Sequence, residues 1–390
     1  MKRIPKIFLA IEGTRGYGRG LLKGISHYAR IHGPWMFLTK HDFYHGGSHR
    51  PPSGKDLIDG AIVREASEKE MAKIQELGIP LVVACHLSAT LPCPHVITDC
   101  EQVGRMAAAH FIDSGFRHFA FCGTGELFWN QCRRQSFAAA VAAAGYETHV
   151  YPYPAAAKNR LWNREQVILA DWLATLPKPI AILACTDDRA RDLMEACGIA
   201  GLRVPEEVAI LGVDNDELAC NMTAVPISSV AFNLEQAGYE AAELLDRLMQ
   251  GKKPKSTKIV VRPTHIEERR STDILAVDDP YVAQAIRFIQ AHANQPLQVA
   301  DVARELAISE RNLYDRFQRT LGKSVFDEIT RVRIAKISWM LETTHLSVKE
   351  ISTIMGMPDD KHLSRYFQGH KGMSPLAWRK QQGRGREGRL

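Results

Sequence analysis

From residue 6 to residue 213, short apolar runs alternate with longer stretches in which apolar positions recur every three or four residues. The runs 6–11, 35–38, 60–63, 81–84, 95–98, 118–122, 148–151, 180–185 and 208–213 predict strands. Between them 18–32, 67–77, 102–114, 133–144, 163–176 and 188–196 predict helices. Strands with no polar face, alternating with helices, form parallel sheets covered on both sides. Nine such strands are more than one compact open sheet usually holds, so two lobes are expected.

The last hundred residues change period and repeat themselves. Leu297 to Ala303 aligns with Leu346 to Ser352 at an offset of 49, and Asn312 to Gln318 aligns with His362 to Gln368 at an offset of 50. The slip of one falls where a turn can absorb it. In the first copy Val299, Val302, Ala303 and Leu306 form one helical stripe; Ser309 is suited to cap a second helix, in which Leu313 and Phe317 are buried and which Gly322 ends. The second copy repeats this with Val348, Ile351 and Met355, a turn at Gly356, then Leu363 and Phe367, stopped by Gly369 to Gly372. Burying those pairs turns Arg311, Tyr314, Asp315 and Gln318 outward, and Lys361, Ser364, Arg365 and Gln368 in the second copy. Long polar side chains around a cation suit a helix lying in a DNA major groove, although two helical hairpins in a bundle have solvated faces of the same kind.

Charge bears on that choice. Residues 279–390 carry 18 Lys and Arg against 12 Asp and Glu, a net of +6, and the whole chain, with 50 against 44, is also +6. All of the excess therefore sits on the segment holding the repeat, as expected of a surface that docks on phosphates. Part of it is a Gly/Arg-rich tail, 384–390, which on its own suits a solubilising end.

With the repeat and its charge in view, residues 281–379 resemble the AraC/XylS-type DNA-binding domain, closing with Gly372-Met-Ser-Pro-Leu-Ala-Trp-Arg379. The resemblance implies an all-α domain of two helix-turn-helix units joined by a helix from Val325 to Leu341, and base-reading positions at Arg311, Tyr314 and Asp315 and at Asp360, Lys361 and Arg365. Asp315 is unusual there, because a carboxylate repels phosphate; it could accept from a cytosine amino group or hold Arg311 or Arg319. A connecting helix of that length spans roughly 24 Å. The two reading helices could then reach successive major grooves, about 34 Å apart.

At 390 residues the chain can hold two or three full domains. Met1 to Pro5 leads straight into an apolar strand, so no signal peptide is expected, and no apolar run approaches a membrane span. Eight cysteines without CxxC pairs read as reduced core thiols of a cytoplasmic protein.

In a doubly wound sheet, ligands sit at the carboxyl ends of the strands. Those ends carry Glu12, Thr14, Arg15 and Tyr17, then Asp99, then Asp187 and Asp188, then Asp214, Asn215 and Asp216. Carboxylates and amides accept from hydroxyls, which suits a neutral polyhydroxylated ligand better than a phosphate, and Tyr17 and Trp129 could stack on a sugar ring. An Asp at a strand end serves equally well as a helix N-cap.

Residues 6–273 resemble the LacI/GalR and periplasmic sugar-binding fold. The likeness rests on Val96-Ile-Thr-Asp99 with Gly104, Gly115 to Phe121, Arg133 four residues before Phe137, Pro179 to Asp187, Val204 to Asp214 and Glu268 to Thr272. It implies a two-lobed α/β sensor with Rossmann-like lobes and effector contacts at Asp99, Arg133, Asp187 and Asp214. The chain departs from it in having no helix-turn-helix ahead of the first strand, and in Phe232, which stands where many relatives line the cleft with glutamine. The expected organisation is a sugar-sensing domain 1–273, a linker 274–281, a DNA-binding domain 282–383 and the basic tail 384–390. Sensor followed by reader, with Tyr17 and Arg19 in the first loop, resembles regulators of pentose catabolism. This implies D-xylose as effector, duplex operator DNA and RNA polymerase as partners, a homodimer, and activation as the output, with no cofactor, metal or membrane partner.

Enzyme signatures are weak by comparison. Gly16-Tyr-Gly18-Arg-Gly20 lacks dinucleotide-loop spacing, Gly322-Lys-Ser has Phe317 where a P-loop needs its first glycine, and His41, His45 and His49 fall in a Gly/Pro-rich stretch that favours solvent over a metal.

Overall fold

The computed structural model describes residues 3–39, 58–64, 68–84, 93–125, 127–153, 162–253, 256–274, 279–344 and 346–383. His41, His45, His49, Cys85, residues 275–278 and the tail 384–390 lie outside them. The chain forms two compact units, Met1–Ile274 and Leu275–Leu390.

Among the described residues the first unit contains twelve strands. They are β1 (Lys6–Ala10), β2 (Met36–Thr39), β3 (Gly60–Val63), β4 (Leu81–Val83), β5 (His95–Thr98), β6 (His118–Cys122), β7 (Thr148–Val150), β8 (Ile180–Ala184), β9 (Val208–Val213), β10 (Ser228–Phe232), β11 (Lys258–Val261) and β12 (Pro263–Glu267). Its main helices are α1 (Gly16–His32), α2 (Glu68–Glu76), α3 (Cys100–Asp113), α4 (Phe128–Ala143), α5 (Trp162–Thr175), α6 (Asp187–Ala200), α7 (Glu217–Asn221) and α8 (Leu234–Met249).

Two six-stranded sheets result, β11-β5-β4-β3-β1-β2 and β12-β10-β9-β8-β6-β7. The first is parallel throughout; in the second only β12 runs antiparallel, against β10. The chain passes between the lobes three times: from β5 into α3, from β10 into α8, and from β11 directly into β12. Each lobe has its own core, with Ile7, Leu9, Ile62 and Val96 in the first and Ala120, Ile180, Ile182 and Ile210 in the second.

The nine expected strands are β1 to β9, and three more complete the sheets. The strand β10 was hidden because Ser228 and Ser229, both fully buried, interrupt its apolar pattern. Their hydroxyls are satisfied inside: Ser228 donates to the Arg269 carbonyl at 2.9 Å and Ser229 to Asp187 at 2.5 Å. The helix α4 starts at Phe128, ahead of the expected Arg133, because Phe128 and Trp129 are adjacent rather than spaced by three or four residues and Leu127 provides no side-chain cap.

The second unit is all helical: α9 (Pro280–Ala291), α10 (Val299–Glu305), α11 (Glu310–Leu321), α12 (Val325–Thr343), α13 (Val348–Ile354), α14 (Asp360–Lys371) and α15 (Pro375–Gly383). The turn between α10 and α11 is residues 306–309 and that between α13 and α14 is 355–359, so the second holds the extra residue of the repeat. Ser309 accepts from the Asn312 amide at 3.2 Å and Asp359 from the His362 amide at 2.6 Å, capping the second helix of each pair. The helix α14 runs on through Gly369 and stops at Gly372, as α11 stops at Gly322, each glycine in the left-handed region.

Two apolar clusters match the two copies. Leu313 and Phe317 pack with Val282, Ile286 and Ile289; Leu363 and Phe367 pack with Ile334, Ile337 and Met355. The helix α12 serves both, giving Val325 and Ile329 to the first and Ile337 and Leu341 to the second. Between these sets, buried Arg333 donates to the carbonyls of Ala293 and Gln295 beside the first pair and to the Met355 carbonyl of the second at 2.8 Å.

Candidate functional sites

A cavity of about 420 Å³ opens between the lobes of the first unit, the size of a small-molecule site. Tyr17 and Arg64 face it from the first lobe; Trp129, Arg133, Asp187 and Asp214 face it from the second. Two matching constellations line it. Arg64 bonds Glu12 and lies over the Tyr17 ring, 4.5 Å from its centroid. Arg133 bonds the Cys185 carbonyl, pairs with Asp214 at 3.3 Å and lies 5.1 Å from the Trp129 ring centroid. Each guanidinium is thus neutralised by a carboxylate and stacked on an aromatic face, which fixes its donors in place.

The loop after β9 is shaped for this purpose. Asp214 has φ 106 and Asn215 φ 50, left-handed values that non-glycine residues rarely adopt. The surroundings hold them there: Asn215 donates its amide to Ser229 at 3.0 Å and accepts from Arg269 at 2.9 Å. Burial pushes the Asp214 carboxyl above its ordinary range, against the pull of Arg133 and Arg64. Asp187 is pushed up as well, by burial and then by the Asp214 charge, while the Ser229 hydroxyl and the Asp216 amide, at 2.6 Å, donate to it. Its acceptors are therefore committed to shaping the loop.

Asp216 reaches the other lobe. It accepts from the Gly16 amide at the start of α1 and from Arg19, both at 2.6 Å, while Arg15 pairs with Asp188 at 2.9 Å. A side chain at position 16 would place its Cβ 2.9 Å from the Asp216 Cα, so the close approach of the lobes requires glycine there. Because Asp216 occupies the positive end of α1, the anion site that a helix start otherwise offers is filled from within. With Asp188, Asp192 and Asp214 also on the wall, the cavity disfavours phosphate and suits an uncharged ligand rich in hydroxyls.

Of the expected effector contacts, Tyr17, Trp129, Arg133, Asp187 and Asp214 line this cavity. Glu12 lies just behind it, buried beneath Arg64, with one carboxylate oxygen lacking a hydrogen-bond partner. Asp99 and Phe232 are elsewhere, and both stand at crossovers. Asp99 caps α3, accepting from the Gln102 amide at 3.0 Å, and Phe232 packs against the core of the first lobe.

Among the wall residues that had not been expected are Arg64, Thr98, Thr124, Leu127, Thr186 and Arg189. Arg64 directly follows β3 and was open to the same strand-end rule as Glu12. Arg189 carried no such signal. It is buried in α6, held by Glu165 and Asp192 at 3.1 Å each, with the Tyr151 ring centroid 5.0 Å away.

In the second unit Arg311, Tyr314, Asp315 and Gln318 of α11 and Asp360, Lys361 and Arg365 of α14 are all exposed. Arg316 turns away from that face, pairing with Asp279 at 2.6 Å and lying 4.5 Å from the Tyr281 ring centroid. Arg319 also turns to Asp279, at 3.9 Å, and no salt bridge to Asp315 is present among the described residues. The alternative in which Asp315 holds Arg319 is therefore not what the structure adopts. No helix of the described residues is long and apolar enough to cross a membrane.

Comparison with known proteins bears on both units. Residues 108–272 match the periplasmic binding protein-like domain and residues 302–381 a helix-turn-helix domain. The chain is 31% identical to the xylose operon regulatory protein of Escherichia coli (strain K12) over 383 residues, 96% of each chain. It is 30% identical to that of Haemophilus influenzae, over 96% of this chain and 98% of the other. The structure of a xylose-binding transcription activator superposes with a TM-score of 0.62 at 29% identity, covering 97% of this chain and 98% of that one.

Proposed function

Because the chain belongs to the xylose operon regulatory protein family, we propose that it is a transcriptional activator that binds D-xylose between its sensor lobes and reads operator DNA with α11 and α14. The observation that carries this reading is the paired wall of the cavity. Arg64 on Tyr17 and Arg133 on Trp129 offer fixed donors and apolar ring faces from opposite lobes, and Asp214 offers an acceptor. A pentose spanning the gap touches both sides at once, so it favours whichever lobe arrangement brings them together, by the difference in its affinity for the two states. The protein acts in the cytoplasm as a homodimer, with RNA polymerase as its downstream partner and no catalytic step of its own. The carboxylates and guanidiniums of the wall are engaged with one another, which suits a binding role over acid–base work.

A thermal-shift panel of D-xylose, L-arabinose, D-ribose and D-glucose tests the sensor, since a ligand bound only by the native state raises its stability. D-xylose is expected to give the largest shift, and Asp214→Ala to abolish it while leaving binding to non-specific duplex unchanged. A larger shift with a hexose would favour a regulator of the same architecture for another sugar; a full shift in Asp214→Ala would remove that residue from the site.

On the DNA side, Arg311→Ala and Arg365→Ala are each expected to weaken specific operator binding by about 1–3 kcal/mol, leaving non-specific binding nearly as it was. Titration of a labelled operator at fixed salt reads the loss. Equal losses on scrambled duplex would make both side chains phosphate contacts.

A further inference from the structure

The helices α3 and α4 cross unusually closely. A Cβ at Gly104 would lie 2.2 Å from the Ser136 hydroxyl oxygen and 2.4 Å from the Phe137 nitrogen, so only glycine lets the two backbones meet there. One turn before the crossing on each helix stands a cysteine, Cys100 on α3 and Cys132 on α4, and the Ser136 hydroxyl, within 2.8 Å of the Cys100 carbonyl and 3.1 Å of the carbonyl of Arg133, which follows Cys132, sets the two side by side.

The placement of the pair is informative. Cys100 is the first residue of α3, where the chain leaves β5 of one lobe for the other. Its sulfur lies 3.5 Å from the Thr98 hydroxyl, and Thr98 lines the cavity. Cys132 is half-buried and immediately precedes Arg133. The neighbouring Cys132 thiol, then the Arg133 charge, hold the Cys100 thiol below its ordinary range against burial, and the start of a helix favours a thiolate further. Cys122 and Cys185 contrast with it: both are fully buried, Cys122 at the end of β6 and Cys185 just after the neighbouring β8, and burial raises their thiols.

We propose that Cys100 and Cys132 are an oxidation-sensitive dithiol, which a hydroperoxide closes to a disulfide that ties the first crossover between the lobes to α4. The Cys100 thiolate attacks one peroxide oxygen, the O–O bond breaks, and the departing oxygen takes up a proton, leaving a sulfenic acid on Cys100. The Cys132 sulfur then displaces that hydroxyl and its proton leaves with it as water. Two thiols are oxidised, one hydroperoxide is reduced to an alcohol or water, and one water is released. A cellular thiol reductant reopens the bond.

The test uses the reduced full-length protein treated with hydrogen peroxide, alkylated and digested without reductant for mass spectrometry. The expected product is a linked Cys100–Cys132 peptide pair, two hydrogens lighter than its parts, with Cys122 and Cys185 still alkylated as thiols only after unfolding. In Cys132→Ser, Cys100 is expected to accumulate as a sulfenic acid captured by a cyclic 1,3-dione. Hydrogen exchange over 98–104 and 128–136 is expected to slow in the oxidised protein. The proposal is overturned if Cys100 and Cys132 both remain alkylatable after treatment, if linkage to other cysteines is as abundant, or if exchange is the same in both redox states.

Discussion

Arg133→Met should lower the stability of the sensor by about 3–5 kcal/mol, the usual cost of removing one partner from a buried ion pair, and should erase the thermal shift given by the effector. The residue is 3% exposed and gives its donors to the Cys185 carbonyl and to Asp214. Methionine fills much of the space, so the loss is electrical rather than a cavity. It leaves Asp214 among low-dielectric surroundings without its nearest cation, and leaves the Trp129 ring without the charge held over it. The effect has a pH signature. The folded Asp214 carboxyl already lies above its unfolded value because of burial, so the folded form binds the extra proton and stability is lost as pH rises through the folded value. Without Arg133 that value climbs further. The deficit of the variant relative to the native protein is therefore smaller near pH 5 than near pH 8, and denaturant unfolding at the two pH values reads the difference. A variant of native stability at both would show that Asp214 does not depend on this guanidinium.

Arg333→Met should weaken operator binding by about 100-fold or more, beyond the loss from any single base contact, because it removes the fixed spacing on which two-site binding depends. Arg333 lies on α12 where the two apolar clusters meet, bonded to carbonyls of Ala293, Gln295 and Met355. Without it, those buried acceptors lose their donor, at about 1–3 kcal/mol each, and the two helix pairs can move against one another. Each pair keeps its own core, so helix content should change little while specific binding collapses. Circular dichroism and operator titration on one preparation separate the two. Native affinity in this variant would mean that α12 alone sets the spacing.

What could be read in advance follows from where each signal resides. The parallel strands and the repeated helix pairs were legible because their cores are built from contiguous or evenly spaced apolar residues, as in Ile180–Ala184 and in Leu313 with Phe317. The second half of the sensor was less so. In β10 buried serines bonded to distant partners stand where apolar residues would announce a strand, and β11 alternates as an edge strand, with Lys258 and Val260 exposed. Around the cavity, Tyr17, Trp129 and Asp214 follow from strand ends and aromatic chemistry, whereas Arg133, inside α4, was implied only by the family resemblance. Whether an aspartate there caps a helix or faces the cleft depends on the direction of the chain, and that divides Asp99 from Asp214. Arg189 gave no local sign, because its partners Glu165, Asp192 and Tyr151 converge on it only in the folded lobe.

The account rests on coupling between the occupied cavity and the DNA-reading helices, and one titration addresses it directly. A duplex selected from a random pool by the full-length protein is titrated at fixed salt with and without saturating D-xylose, beside a scrambled duplex of equal length. The account predicts that D-xylose changes affinity for the selected duplex by roughly 5- to 150-fold, the range of ordinary allosteric coupling, and leaves the scrambled one unaffected. Identical affinities for the selected duplex with and without the sugar, or equal affinities for the selected and scrambled duplexes, would contradict it.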